Sequence, residues 1–591
     1  AASTWILETH EDTWQKASLD QASEEETIAY FEDLYAEELD GHRLLSNKSI
    51  WRSFPVISAE KWSHENVVLI GDAIHTAQFS IGSGTKIAME DAIALSNVVL
   101  KACDDNTSIL GALDAYELER KELISRLQRT AMVSLGWYEN ARRYNGLSPK
   151  QYAFNFLSRN KSVTYENLAL RDAGYGDDIN RWYADMVREE LGFDLPVDKP
   201  PPPMFTPYKV GNLTLQNRVV VAPMCQYSAD DGTPTDWQLV HLGNFAKGGA
   251  GLVITEMTNV SREGRISHKC AGMYKPEHVP AWKRIVDFVH ANSNSKICVQ
   301  LGHAGRKASC NIGWVERGSF LKDDAWSILA PSAIPFGPES GVPKEMDRTD
   351  MDKVRDDYVK SAKMAAEADF DMIEFHGAHG YLLSSFISPM SNIRTDEYGG
   401  SIENRMRFPL EVLTAVRAVW PADKPISVRI SAEDWVGEKG NSGDDAVTIS
   451  KLFYSAGADI IHVSAGQTSS EQRPIYGRMF QSHLSEQVRL EAGIPTMAVG
   501  NITTPDQINT ILAAGRADLV TLARPHLSNP FFTLHAAAHY SWEHQHWPDQ
   551  YLRGKDQAFK EASAQNIRYS ELLEANKPAS HAEILNAKAA E

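Results

Sequence analysis

The chain has 591 residues, 43% of them hydrophobic and 23% charged, which is an ordinary globular composition. Its formal net charge of −19 disfavours nucleic-acid binding, because proteins that bind the phosphate backbone are usually basic. No apolar run approaches the ~20 residues of a membrane span. Five cysteines in 591 residues do not form a disulfide framework, and without a C-x-x-C pair no zinc ribbon is indicated. We therefore expect a cytoplasmic protein without a membrane partner.

The sequence begins at Ala1 and lacks the basic region and the cleavage site of a signal peptide. Residues 3–9 are predicted to form a strand, although no earlier strand precedes them as a partner. We therefore expect the chain to be truncated upstream; a processed mature start is the alternative.

A capping box opens the helical part of the first domain, which is predicted to cover residues 1–195. Ser23 and Glu26 have the S-x-x-E spacing that satisfies the first N–H groups of a helix, and this helix is predicted to end near Gly41. The further predicted elements are strands at 50–57 and 67–70 and helices at 85–101 and 109–143.

Four consecutive prolines, Pro200–Pro203, mark a domain boundary, because such a run is stiff and extended. Residues 196–203 are therefore predicted to be a linker. Beyond them, short apolar runs alternate with helical stretches, which predicts an α/β fold, a (β/α)8 barrel over 204–554. The runs are 218–224, 251–257, 296–301, 371–375, 426–430, 459–463, 496–499 and 518–522. The polar tail, 555–591, is predicted to be helical or disordered.

Polar and glycine residues follow the predicted strands, where barrel enzymes carry their active sites. Gly500, Ala523 and Arg524 follow the last two strands, where small residues allow a phosphate to approach the backbone and a guanidinium offers two hydrogen bonds. Gln300 and Arg429 could hold a planar ring with carbonyls and nitrogens. The alternative is that a barrel arginine only pairs with a neighbouring carboxylate.

His376 and His379 follow the fourth strand and have two possible roles. A metal site needs further ligands, and none has a recognisable spacing. The two imidazoles could instead donate hydrogen bonds to a substrate oxygen, with Tyr381 delivering a proton. A second group of histidines lacks any cysteine or carboxylate pattern, so we expect a partly exposed helix end there. These are His535, His539, His544 and His546.

Residues 204–554 resemble the Old Yellow Enzyme family of FMN-dependent ene-reductases. The matching motifs are Phe205-x-Pro207, Asn217-Arg218, Ala222–Cys225, Gln300–Arg306, Phe375–Leu382 and, most specifically, Ser388–Arg405. The resemblance implies an FMN site on the barrel. Its residues would be Ala222, Pro223, Met224, Cys225, Met257, Gln300, Arg429, Gly466, Gly500, Ala523 and Arg524.

The same resemblance implies the substrate site. His376 and His379 would bind a substrate carbonyl, and Tyr381 would be the proton donor. Cys225 and Tyr227 are similar to the thermophilic-like branch of the family, in which they would tune the flavin potential and contact the substrate. The run Tyr551-x-Arg553-Gly554 resembles an arginine finger that reaches a neighbouring subunit, so we expect a homodimer or a larger homo-oligomer.

A second flavin motif lies in the first domain. Asp72 follows an apolar strand and can accept ribose or ribityl hydroxyls, while Gly82 and Gly84 expose helix N-terminal amides that suit a pyrophosphate. The run Gly71–Ala92 is similar to the second FAD motif of single-component aromatic hydroxylases. The first motif of that family, G-x-G-x-x-G, does not occur in this domain. Either the chain is a fragment or this domain no longer binds FAD alone.

A hydroxylase-type domain ahead of an Old Yellow Enzyme barrel resembles the bifunctional 2-aminobenzoyl-CoA monooxygenase/reductase and salicylyl-CoA 5-hydroxylase family. The resemblance implies NADH- and O2-dependent 5-hydroxylation of an ortho-substituted benzoyl-CoA, with hydride transfer from FMN on the barrel. An acyl-CoA substrate is anionic and predicts a local basic groove. One alternative is an NAD(P)H-dependent enone reductase in which residues 1–195 are a docking module. Another is a non-catalytic flavoprotein that passes electrons, against which His376, His379 and Tyr381 argue.

Overall fold

The computed structural model describes residues 3–46, 49–77 and 82–575. The chain divides into two compact units. The first contains Ala1–Leu147 and Phe156–Ser162, and the second contains Ser148–Asn155 and Val163–Glu591. Within the described residues, no helix combines the length and the apolar composition needed to cross a bilayer.

The first unit is mainly helical. Its helices are α1 (Glu11–Lys16), α2 (Glu24–Leu34), α3 (Ala36–Leu39), α4 (Gly84–Asp104) and α5 (Ile109–Glu139). The capping box is confirmed, because Ser23 Oγ accepts the N–H of Glu26 at 3.2 Å and the Glu26 carboxylate accepts the N–H of Ser23 at 2.8 Å. The core between α4 and α5 contains Ile87 and Tyr116, both buried.

The predicted strands of the first unit are mostly wrong. Residues 3–9 and 50–57, all of them described, contain no strand. The sheet in the described part of this unit is one antiparallel pair, β1 (Ser63–His64) and β2 (Val67–Val68). Val67 is 59% exposed, so the predicted buried strand at 67–70 is short and open to solvent. A strand requires a neighbouring backbone to pair with, and an apolar run does not specify that neighbour.

The second unit contains a closed barrel of eight parallel strands. The strands of this unit are β3 (Tyr208–Val210), β4 (Leu213–Leu215), β5 (Val219–Val221), β6 (Leu252–Asn259), β7 (Lys296–Gly302), β8 (Leu329–Ala330), β9 (Lys344–Glu345), β10 (Met372–Gly377), β11 (Ile426–Ser431), β12 (Ile460–Ser464), β13 (Thr496–Ala498) and β14 (Leu519–Leu522). The barrel order is β5, β6, β7 and β10 to β14, and β14 pairs back onto β5. Each barrel strand coincides with one predicted run, so the predicted (β/α)8 barrel is confirmed.

Helices surround this barrel and cover its apolar strands. They are α6 (Pro149–Leu157), which the two units share, α7 (Tyr165–Arg171), α8 (Ala173–Leu191), α9 (Asp236–Lys247), α10 (His278–Asn292), α11 (Arg348–Glu367), α12 (Leu382–Ile387), α13 (Ile402–Arg417), α14 (Gly443–Ser455), α15 (Ser482–Ala492), α16 (Pro505–Ala513), α17 (Arg524–Ser528), α18 (Phe532–His539) and α19 (Leu552–Ala575). The core between strands and helices includes Trp282, Phe375 and Phe408, each fully or almost fully buried.

Two helices that the sequence placed with the first domain pack on the barrel instead. On α8, Tyr183 and Val187 are buried in a cluster with Leu512 of α16. The N–H of Tyr165, at the start of α7, donates to Thr510 Oγ1 at 2.9 Å. The segment predicted to be a linker also differs, because Pro201–Pro203 are buried within the barrel unit. An amphipathic pattern identifies the apolar face of a helix but not the surface that covers it.

Candidate functional site

Neighbouring strands bring the predicted polar residues together at one end of the barrel. His376 on β10 is in register with Arg429 on β11, and Arg429 is in register with His462 on β12. All three side chains are buried. Parallel strands that end at the same rim therefore assemble residues that are far apart in the sequence.

His376, His379 and Tyr381 form one compact group at the end of β10. The ring centres of the two histidines are 5.1 Å apart, and those of His376 and Tyr381 are 4.8 Å apart. His379 has a φ of +63°, a left-handed conformation. Its N–H donates to Ser431 Oγ at 2.9 Å, and its Nε2 shares a hydrogen bond of 2.8 Å with Ser464 Oγ. The structure thus brings together the three predicted catalytic residues and holds His379 from two strands.

Burial sets the protonation of this group. It lowers the pKa of His376 and of His379 well below the usual 6.5, and the Arg429 cation lowers both further. Both imidazoles are therefore neutral, and each has one N–H to donate. Burial also raises the pKa of the Tyr381 hydroxyl well above 10, so Tyr381 keeps its proton at neutral pH.

Lys307 belongs to this group, although the sequence analysis did not identify it. Its Nζ donates to the carbonyl oxygen of His379 at 2.9 Å and lies 5.2 Å from the ring centre of Tyr381. Burial, together with the Arg306 cation, lowers the pKa of Lys307 to about 8. Lys307 directly follows the motif that ends at Arg306, so extending that motif by one residue would have found it.

Tyr381 also packs in an apolar cluster with Cys225, Tyr227 and Met257. Burial raises the pKa of the Cys225 thiol well above 9, so the thiol is neutral. The predicted substrate contact Tyr227 and the predicted flavin contacts Cys225 and Met257 therefore lie on one surface with the predicted proton donor.

The buried side chain of Arg429 indicates that a flavin ring fits this site. Its guanidinium is buried, and its Nε has no hydrogen-bond partner among the described residues. Buried polar groups require a partner, and a buried cation requires an acceptor. Gln300 is buried nearby on β7 and donates its Nε2 to Glu374 at 2.8 Å, which leaves its carboxamide oxygen to accept. An isoalloxazine ring has the complementary acceptors for Arg429 and an N–H for Gln300.

The predicted phosphate residues lie on the loops after β12, β13 and β14. Gly466 and Gly500 have φ values of +71° and +116°, which favour glycine. A Cβ on Gly500 would lie 2.8 Å from Gln481 Oε1, so packing within the protein also favours glycine here. Arg524 is exposed at the first position of α17, directly after Ala523. The exposed guanidinium suits an anionic group at this rim.

Glu256 is a buried carboxyl at the base of the Tyr227 loop. It accepts the N–H of Gln226 and the Nε2 of Gln238, each at 3.0 Å. Burial raises its pKa to about 7, against the effect of these hydrogen bonds. The sequence analysis did not identify Glu256, because its burial depends on residues elsewhere along the chain.

We expect Glu256 to make barrel stability depend on pH. Its pKa in the fold, about 7, lies above the unfolded value of 4.5, so the fold favours the protonated form. This raised pKa contributes about 3 kcal/mol to the free energy of unfolding. The contribution is complete below pH 4.5 and is lost as the pH rises through 7. Relative to Glu256→Gln, the wild type should therefore lose unfolding free energy over this range. Urea unfolding of both proteins with saturating FMN measures the difference, and a pH-independent difference would contradict the raised pKa.

The FAD motif of the first unit is only partly described, because Gln78–Ile81 lie outside the described residues. Asp72 is exposed in a turn at Gly71–Ala73, and Gly84 is the first residue of α4. Gly82 has a φ of +62°, and among the described atoms none lies within 4 Å of a Cβ built on Gly82 or Gly84. This open helix start presents backbone amides that suit an anionic group.

A buried carboxylate holds this turn against the helices of the same unit. Asp91 on α4 accepts the N–H of Gly71 at 3.2 Å and the Nε of Arg120 at 2.9 Å, and it shares a hydrogen bond of 2.6 Å with His75 Nε2. The Asp91 side chain is fully buried. These three hydrogen bonds connect the turn at Gly71 to α4 and α5.

The remaining predicted residues lie near the last two helices. Arg553 is exposed on α19, and its insertion into a neighbouring subunit stays a prediction. Tyr551 accepts a hydrogen bond from Lys247 Nζ at 3.2 Å. In the second histidine group, His539 pairs with Glu166 at 2.9 Å and the other three are exposed. Within the part of the chain that is described, no group of three or more His, Cys, Asp or Glu side chains could hold a metal ion.

One end of this closed parallel barrel thus offers neutral imidazoles, a protonated phenol and an unpartnered guanidinium nitrogen, a set that suits a flavin-dependent oxidoreductase. Residues 203–543 match the NADH:flavin oxidoreductase / NADH oxidase family, and residues 3–131 match an FAD binding domain. The chain therefore belongs to the NADH:flavin oxidoreductase / NADH oxidase family. The two matches imply FMN and FAD as cofactors, and the similar NADPH dehydrogenases imply NAD(P)H as the electron donor.

Several known proteins are similar to this chain. It is 43% identical over 336 residues to an NADPH dehydrogenase of Geobacillus sp. (strain WCH70), an alignment that covers 56% of this chain and 93% of that protein. It is 41% identical over 335 residues to an NADPH dehydrogenase of Clostridium acetobutylicum, covering 56% and 94%. The solved structure of a 2-naphthoyl-CoA reductase with 2-naphthoyl-CoA has a TM-score of 0.50 and 25% identity. That match covers 56% of this chain and about half, 51%, of the other.

Proposed function

We propose that this chain is a bifunctional flavoprotein that uses NADH and O2 to hydroxylate an ortho-substituted benzoyl-CoA at the 5-position. At the barrel site, a hydride is transferred from FMN to the substrate ring. The substrate would be 2-aminobenzoyl-CoA or salicylyl-CoA. The observation that carries the proposal is the presence of an FAD binding domain and an FMN-type barrel in one chain. The similarity to a 2-naphthoyl-CoA reductase supports an aromatic acyl-CoA as the substrate class.

On the barrel, FMN supplies the hydride when it is bound, and this chain's side chains supply orientation and the proton. His376 and His379, both neutral, donate hydrogen bonds to the substrate oxygen and stabilise the charge that develops there. Tyr381 Oη donates a proton to the neighbouring carbon, so that hydride and proton together reduce one double bond. Lys307, close to the Tyr381 ring, stabilises the negative charge left on that oxygen.

In the first unit, Asp72 would bind a sugar or ribityl hydroxyl of FAD, and the amides at Gly82 and Gly84 would bind its pyrophosphate. FAD supplies the oxygen chemistry when it is bound. Asp91 holds the turn that carries Asp72 and therefore acts on the site through position alone.

The CoA tail has a candidate place at the barrel rim, beyond β11 and β12. A cleft of about 480 Å³ is lined there by Trp435, Lys439 and Arg473, together with Glu433 and Glu471. Aromatic and cationic side chains bind adenine rings and phosphates, although the two carboxylates reduce the net charge of this cleft. The predicted basic groove is thus only partly matched by this cleft.

The test begins with the flavin content of the purified chain and continues with the reaction itself. FMN and FAD released by denaturation are separated and counted, and the chain loaded with both is incubated with NADH, O2 and each benzoyl-CoA. We expect a product that gains one oxygen atom and, for the amino substrate, a further two hydrogens. Matched N-acetylcysteamine thioesters, which lack the nucleotide, should react more weakly. Full occupancy by both flavins without oxygen incorporation would refute the proposal.

The second candidate is an NAD(P)H-dependent FMN ene-reductase that acts on an enone, with residues 1–195 as a non-catalytic docking module. The 43% identity to an NADPH dehydrogenase favours it. In the same experiment, this candidate predicts FMN without FAD, anaerobic reduction of an enone and no oxygen incorporation.

A further inference from the structure

A buried carboxylate, Glu374 on β10, connects residues around the flavin ring site. It accepts hydrogen bonds from Gln300 Nε2 at 2.8 Å and from Ser427 Oγ at 3.1 Å, and it shares one of 2.9 Å with His462 Nδ1. The side chains of Glu374 and His462 are both fully buried. Neither residue has a part in the reaction described above.

The charges of this network can be assigned. Burial alone would raise the pKa of Glu374, but His462, Arg429 and Gln300 outweigh burial, and the pKa is lowered. Burial, aided by Arg429, lowers the pKa of His462 despite the adjacent carboxylate. Glu374 is therefore the anion of this network, and His462 donates its Nδ1–H to it. Arg429 then carries the positive charge that balances Glu374.

We propose that Glu374 is a positioning residue that lowers the reduction potential of FMN by offsetting the charge of Arg429 and by orienting Gln300. A cation beside the ring stabilises the extra electrons of the reduced flavin, and a nearby carboxylate weakens that effect. The hydrogen bond to Glu374 also turns the amide nitrogen of Gln300 away from the ring site and leaves its oxygen as the acceptor. The proposal rests on FMN binding to the barrel and does not depend on which substrate is reduced.

Glu374→Gln separates the effect of the negative charge from that of the hydrogen bonds, because glutamine has the shape of glutamate but no charge. Its oxygen can still accept from Gln300, and its amide can donate to Ser427 and to His462 in the other tautomer. We expect the equilibrium between the bound FMN and a redox dye to shift at least about tenfold toward reduced flavin, or about 30 mV. The anaerobic dye equilibrium measures this shift, and flavin fluorescence measures the FMN dissociation constant, which should change little.

Two further variants serve as controls. Glu374→Asp keeps the charge but withdraws it from Gln300, so the potential should stay near that of the wild type while FMN binds several-fold more weakly. Ser427→Ala removes one hydrogen bond to Glu374 without a change of charge, and it should alter the potential least. Circular dichroism confirms that each variant is folded.

Three results would overturn the proposal: a wild-type potential in E374Q, an equal shift in E374D, or a folded E374Q that no longer binds FMN. If E374Q does not fold, E374D decides, because a large shift of potential with the charge retained is incompatible with the proposed role. These readouts use no substrate, so they stand apart from the test of the hydroxylation reaction.

Discussion

Tyr381→Phe should slow reduction of an enone by about 10²- to 10⁴-fold while leaving reduction of the flavin by NADH unchanged. Phenylalanine keeps the ring that packs 4.8 Å from His376 and in the apolar cluster, and it removes only the hydroxyl. The effect should be confined to the oxidative half-reaction, because hydride transfer from the nicotinamide needs no proton from this residue. Anaerobic stopped-flow absorbance separates the two half-reactions.

The matched control is Tyr358→Phe, which removes a hydroxyl from a fully buried tyrosine of the same unit. Tyr358 stacks on Phe375 at 5.6 Å and belongs to the core between strands and helices. Both half-reactions should be preserved in this variant. An oxidative rate in Y381F equal to that of the wild type would remove Tyr381 from the mechanism.

Asp91→Ala should destabilise the first unit by about 3–5 kcal/mol, because it removes the fully buried carboxylate beside the Arg120 cation and leaves that cation only the part-exposed Glu90. It also removes the acceptor for the N–H of Gly71 and the partner of His75. Amide hydrogen exchange across α4 and α5 should measure this loss. FMN binding should be retained, because the barrel is a separate compact unit with its own core.

Glu90→Ala is the control for this prediction. Glu90 neighbours Asp91 on α4 and also contacts Arg120, at 3.1 Å, but its side chain is 42% exposed. Exposed ion pairs contribute about 0–1 kcal/mol, so the loss should be small. Equal losses in the two variants would show that burial does not determine the contribution of Asp91.

The barrel could be predicted from the sequence because its strands are buried on both faces. Such strands are short continuous apolar runs, as at Val219–Val221. The helices between them are recognised by apolar residues that recur about every 3.6 residues. The first unit could not be predicted in the same way. An apolar run such as 50–57 has strand character, but pairing needs a partner that local sequence does not identify. The packing of α8 on the barrel was missed for the same reason.

The candidate site was predictable where residues lie near the end of a strand, as His376 does on β10 and Arg429 on β11. Lys307, Glu256 and Glu374 were missed, because each acts through burial and through partners elsewhere along the chain. Short motifs reveal the residues at the ends of strands, whereas protonation and hydrogen bonding depend on neighbours that only the folded chain brings together.

The path of the chain limits how such a protein can be divided. The chain passes from one unit to the other three times, after Leu147, after Asn155 and after Ser162. Asn155 Nδ2 donates to Glu486 Oε1 at 2.6 Å, so even the short segment 148–155 contributes to the barrel unit. A shortened chain that starts at the prolines would expose apolar faces of the barrel and invite aggregation. Exchange of modules between proteins of this architecture must therefore transfer residues 148–155 and 163–202 together with the barrel.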